Sequence, residues 1–249
     1  MDLEICVDSV ESAIAAERGG AQRVELCSAL SEGGITPSSG LIRCVRSSVA
    51  LDIFVMIRPR AGDFVYTRTE FDVMRQAICD AQNLGVTGVV FGLLTDDDRV
   101  DVERTRMLVE LARPLAVTFH RAFDVCEDLD RALEEVIACG ADRLLTSGGR
   151  PDAVRGTRQI AHLRGAAGDR IRIMAGGGIR SSNVAQLVLR TGIRDVHSSL
   201  NGNRDSADRE NLHPAVYFQA DGPGSFLVLE EDVRSFKATL DAVSVNLHT

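Results

Sequence analysis

The chain has 249 residues, 45% of them hydrophobic, enough to bury the core of one large α/β domain. Its formal charge of −8 lacks the basic footprint of a nucleic-acid binder, and no run approaches the roughly 20 apolar residues that cross a bilayer. Only one of its 28 basic residues is a lysine, Lys237, far in sequence from every strand end, so Schiff-base and pyridoxal-phosphate chemistry are set aside.

The N-terminus turns acidic at once with Asp2 and Glu4 and does not read as a signal peptide. A soluble, cytoplasmic protein with no membrane partner is expected. The six cysteines lack CxxC or zinc-ribbon spacing and read as reduced thiols.

Strand-like runs follow in order at 3–7, 23–27, 52–57, 88–94, 115–120, 142–147, 170–175 and 195–199. Amphipathic segments fall between them, among them 9–20, 69–85, 100–112, 129–140 and 181–192, and several end in glycine, as helices do. Eight strands alternating with helices predict a single (β/α)8 TIM barrel over residues 1–249. An open doubly wound sheet would want a switch in order or a linker, and none is visible. Residues 201–229 read as a long irregular segment before a final helix near 230–243.

Strand side chains alternate between two faces. Helices cover the outside of a barrel, so Ile5, Val7, Val24 and Leu26 face outward, and Glu4, Cys6, Glu25 and Cys27 face the lumen. The two Glu-x-Cys segments then bring two carboxyl groups and two thiols into one mouth. Extending the parity adds Arg58, Thr118, His120 and His197. Buried charges need partners, and a pair of Glu4 or Glu25 with Arg58 is expected. The glycines of MAGGGI (Gly176, Gly177, Gly178) and the hydroxyls of Ser198 and Ser199 close strands 7 and 8, where barrels hold anions. Arg60 and Asp63 in RPRAGDF, Asp124 in TFHRAFD, and Thr146 and Ser147 in TSGG complete the predicted rim.

EICVDS, GGAQRVELCSALSEGGITPSSG, FVMIRPRAGDF, TFHRAFD, LTSGG, IMAGGGI and HSS together resemble the CutC copper-homeostasis family, from residue 4 to about 199. The resemblance implies a TIM barrel, a cytosolic location, a homo-oligomer and copper handling, with Cu(I) carried by Cys6 and Cys27. Cu(I) is soft and prefers thiolates, although the nearby glutamates are expected to oppose thiol ionisation until a cation arrives. The alternative is a lysine-independent acid–base enzyme for a small, phosphorylated or otherwise anionic, ligand. Its catalytic set would be Glu4, Glu25, Arg58 and His120, with His120 or a glutamate as base. A third reading is a scaffold that uses the barrel only as a platform.

Overall fold

Eight short parallel strands close on one another in chain order, with β1 returning to β8. They are β1 (Asp2–Val7), β2 (Arg23–Leu26), β3 (Asp52–Met56), β4 (Gly88–Phe91), β5 (Ala116–Phe119), β6 (Arg143–Thr146), β7 (Arg172–Ala175) and β8 (Asp195–Ser198). The computed structural model describes residues 1–200 and 227–246. Around the strands lie α1 (Val10–Arg18), α2 (Ser39–Ser48), α3 (Arg68–Asn83), α4 (Val102–Ala112), α5 (Leu129–Ala138), α6 (Thr157–Ala167), α7 (Val184–Thr191) and α8 (Glu230–Asn246). This is the predicted (β/α)8 barrel. Of the segment predicted to be irregular, residues 201–226 lie outside the described residues.

Local chemistry sets the helix ends. Thr67 and Glu70 form a reciprocal capping box at the start of α3, and Ser9 caps α1 by accepting from the Ser12 amide. Gly192 stops α7 in the left-handed conformation, at φ +68°. Lys237 lies on α8 and pairs with Asp241, so the lysine sits in the outer layer.

The predicted alternation separates two apolar layers. Ile5, Val7, Val24, Leu26, Ile53 and Val55 pack outward against the helices in one continuous core. Cys6, Cys27, Phe54, Met56 and Val90 form a second, smaller cluster inside the barrel. Phe54 plugs the lower lumen, with the guanidinium groups of Arg23 and Arg143 packed 5.3 and 5.1 Å from its ring centre. Gly88 on the neighbouring strand makes room for it: a Cβ there would sit 2.3 Å from the Phe54 ring. Among the described residues no helix is long and apolar enough to cross a membrane.

Gly88→Ala is therefore expected to cost about 1–3 kcal/mol through overpacking. The urea midpoint measures it, and a variant as stable as the parent would mean that the lumen widens freely.

Candidate functional site

A chain of charges runs up the lumen. Arg23 and Glu4 are register partners on β2 and β1, and Arg23 Nε donates to Glu4 Oε2 at 2.5 Å. Asp195, nearer the base, lies 3.5 Å from Arg23 and 3.6 Å from Arg143. The other Glu4 oxygen lies 2.8 Å from His197 Nδ1, and His197 Nε2 is 3.8 Å from Glu25 Oε2. Burial alone would raise the Glu4 carboxyl. The His197 hydrogen bond and the charges of Arg23, His197 and Arg143 outweigh it and hold the group down at about 2. Burial likewise opposes the charge on His197, but Glu25, Cys6 and Glu4 around it push its pKa well up. Glu25 goes the other way: burial first, then the charges of Cys6 and Glu4, raise it well above the carboxylate range.

The two sulfurs complete this chain. Cys6 and Cys27 Sγ lie 3.8 Å apart, and Cys27 Sγ is 3.7 Å from Glu25 Oε2. Register places Cys6 beside Glu25, with Cys27 just past the end of β2, so the thiols meet across the barrel stagger and not at level positions. The contact with Cys27 lowers the Cys6 thiol to about 6 against the effect of burial, helped by His197. The same contact, with burial, pushes Cys27 well up. The expectation that the glutamates oppose thiol ionisation is corrected for Cys6: Glu25 favours its proton, and His197 supplies a positive charge. Among the described residues, Cys6–Glu25–Cys27 and Glu4–Glu25–His197 each bring three donor atoms within 4.8 Å of one another.

Above the sulfurs opens a cavity of about 700 Å³. Its wall includes Cys6, Glu25, Met56, Arg58, His120, Arg121, Asp124, Gly177, Gly178, His197, Ser198 and Ser199, together with Glu32, Arg150 and Arg180. Glu4 is fully buried beneath it and acts on His197. The predicted pairing of Glu4 or Glu25 with Arg58 does not form. β3 ends at Met56, so Arg58 leaves the strand alternation, and its guanidinium donates to the carbonyls of Glu32, Gly34 and Gly62. Burial and the Arg58 charge lower the His120 imidazole to about 3. That makes it a neutral hydrogen-bonding group, a poor match for the base role expected of it. Its Nδ1 accepts from the Ala122 amide at 3.2 Å, and its buried Nε2 has no partner among the described residues.

Other rim residues hold the frame. Thr118 accepts from Arg143 below the cavity. Arg60 ties Asp63 to Glu70 and stands off the cavity wall. Asp124 accepts from Thr146 Oγ1, from Ser147 N and Oγ, from Gly149 N and from Arg121 Nε. Gly176 spends its amide on the Thr146 carbonyl, and Ser198 donates its hydroxyl to the Ile179 carbonyl. Gly177, Gly178 and Ser199 remain on the wall. α7 starts at Val184, inside the segment 181–192 read as helical, so the glycines stand ahead of the helix and not at its N-terminus. Arg23, Arg143 and Asp195 were missed, although Arg23 shares the inward parity of Glu25 and Cys27. Arg121, inside the quoted TFHRAFD, was missed because it belongs to a 3-10 turn (Arg121–Val125) where strand parity has ended.

A family model described as the CutC family matches residues 1–202. The chain is 48% identical over 204 residues to the copper homeostasis protein cutC homolog of Homo sapiens, covering 82% of this chain and 75% of that one. It is 49% identical over 207 residues to a family protein CutC of Chromobacterium violaceum, covering 83% and 84%. The solved structure of CutC from Streptococcus agalactiae matches with a TM-score of 0.76 at 31% identity, over 79% of this chain and 97% of that one.

The Glu4 carboxyl has a folded pKa of about 2 against a reference of 4.5. Its stabilising contribution is complete above pH 4.5 and is lost as pH falls toward 2. Glu4→Gln is expected to lose about 3–5 kcal/mol at neutral pH, because Arg23 is left buried without its carboxylate. The deficit should shrink below pH 4.5 in urea titrations; a deficit constant down to the acid limit would contradict the assignment.

Proposed function

Because the chain belongs to the CutC family, we propose that its barrel mouth carries copper as Cu(I) between Cys6 and Cys27. The observation behind this reading is the 3.8 Å separation of the two sulfurs, one on β1 and the other just past the end of the neighbouring β2. That is less than twice a metal–thiolate bond of about 2.3 Å, so one ion reaches both sulfurs without movement of either strand. The donor set fits a soft ion, since Cu(I) prefers thiolate and thioether sulfur to carboxylate oxygen. Met56 packs in the same inner cluster as the two cysteines, which makes its thioether the natural third donor ahead of Glu25. Copper is cargo here, and Glu4, through His197, sets the charge beneath it. Under this proposal the protein works in the cytoplasm as a homo-oligomer of single-domain chains.

A second reading is favoured by the size of the cavity. About 700 Å³ is far more than one ion needs and falls in the usual range of small-molecule sites. Three of its lining residues keep a buried polar atom unpartnered among the described residues: Glu25 Oε1, Arg58 Nε and His120 Nε2. In this reading the Cys6 sulfur, lowered to about 6, takes the carbon-bound proton, Glu25, which favours its proton, is the acid that supplies one to the substrate, and neutral His120 polarises an oxygen of a small organic substrate. No lysine is required.

Anaerobic titration with Cu(I) against a competing chelator tests the first reading. One ion should bind per chain. Cys6→Ala and Cys27→Ala should each weaken binding at least about 100-fold, and Met56→Leu about tenfold. Unchanged affinity in the double cysteine variant would remove the pair as ligands. For the second reading, small hydroxycarbonyl compounds in D2O should exchange a carbon-bound proton, followed by NMR, and Glu25→Gln should abolish the exchange. Equal exchange in that variant would sink the role given to Glu25.

A further inference from the structure

We infer that the side of the cavity opposite the sulfurs is a phosphate monoester site, with Arg121 as its anchor and His120 as a donor to the organic part of the ligand. This rests on the second reading only in placing an organic ligand in the same cavity. It requires no turnover.

The electrostatics come first. Among the described residues the wall carries four arginines against three carboxylates, in a chain whose formal charge is −8. A locally basic pocket in an acidic protein concentrates anions. One of the three carboxylates is already committed. Asp124 spends both oxygens on the 146–149 loop and on Arg121, and so serves to position that guanidinium.

Geometry then singles out Arg121. Its Nε donates to Asp124 at 2.8 Å and one Nη to Ser147 Oγ at 2.8 Å, which fixes the plane of the group. The other amino group, Nη1, has no acceptor among the described residues and faces Gly177. A Cβ on Gly177 would lie 3.2 Å from Nη1. Gly177 and Gly178 have φ of +98° and +68°, a backbone that other residues rarely adopt. Their amides find no acceptor among the described residues. Successive glycine amides beside an oriented guanidinium form a cradle for a tetrahedral anion.

A second observation, at the buried residue just before Arg121, also points to a ligand. His120 is only 4% exposed, lines the same cavity, and leaves Nε2 without a partner. Because Nδ1 accepts from the Ala122 amide, the ring proton of the neutral imidazole belongs on Nε2. The cavity thus presents an anion cradle on one side and a buried hydrogen-bond donor on another, which matches a short polyol or hydroxycarbonyl chain carrying a phosphate.

The test is isothermal titration of the full chain with inorganic phosphate, glycerol 1-phosphate, glycerol and acetate. Glycerol 1-phosphate should bind best, inorganic phosphate more weakly, and glycerol and acetate not at all. Arg121→Met should weaken both phosphate probes at least about tenfold, with partial recovery in Arg121→Lys. Gly177→Ala should act in the same direction. His120→Asn, or His120→Phe if the first variant is unstable, should erase the advantage of glycerol 1-phosphate over inorganic phosphate. Failure of inorganic phosphate to bind, acetate binding as tightly, or unchanged affinity in Arg121→Met would each overturn the inference. Phosphate binding without proton exchange would leave it standing and remove the enzyme reading. Unaltered Cu(I) affinity in Arg121→Met separates it from the copper site.

Discussion

The buried pair between Glu4 and Arg23 is the constraint on which the rest of the lumen depends. A barrel interior is ordinarily filled with branched apolar side chains. This one places a fully buried carboxylate and guanidinium at its centre, and neither is tolerable there without the other. The pairing is set by strand register, and it leaves one Glu4 oxygen for His197. His197 then stands as a cation between two glutamates and the Cys6 sulfur. Through Glu4 and His197, that first contact is linked to the ionisation of Glu25 and Cys6.

The mouth has two unlike halves. On the β1 and β2 side are soft sulfur donors and a carboxyl that favours its proton. On the β5 to β7 side are an oriented guanidinium, free amides and a neutral imidazole. Asp124 supports the second half much as Glu4 supports the first, by holding a neighbour in place. An ion site and an organic-anion site are compatible in such an arrangement, because the residues proposed for each do not overlap.

Much of this was legible in the sequence, and the limits have a physical cause. Period-two alternation assigns Glu4, Cys6, Glu25 and Cys27 to the lumen because one strand residue turns one way and the next the other. The same parity covers Arg23, whose role shows only when register places it against Glu4. Arg58 was given the wrong partner because alternation stops with β3 at Met56, and the chain beyond bends toward the loops around Gly34 and Gly62. α2 and α6, of 10 and 11 residues, were not among the segments named, although they are as long as α5 and α4. Ser198 looked like a ligand donor, but its hydroxyl is spent on the Ile179 carbonyl, a tertiary contact that no local pattern contains.

The aromatic plug at Phe54, clamped by two guanidinium groups, makes the barrel a vessel with a sealed floor. Among the described residues, the cavity above the sulfurs carries a collar of Arg58, Arg121, Arg150 and Arg180. A naked metal cation would have to climb a repulsive field to pass this collar, whereas a neutral or anionic complex would be drawn through it. Were copper the cargo, as proposed, such a collar would select the charge of the complex that delivers it to the thiols.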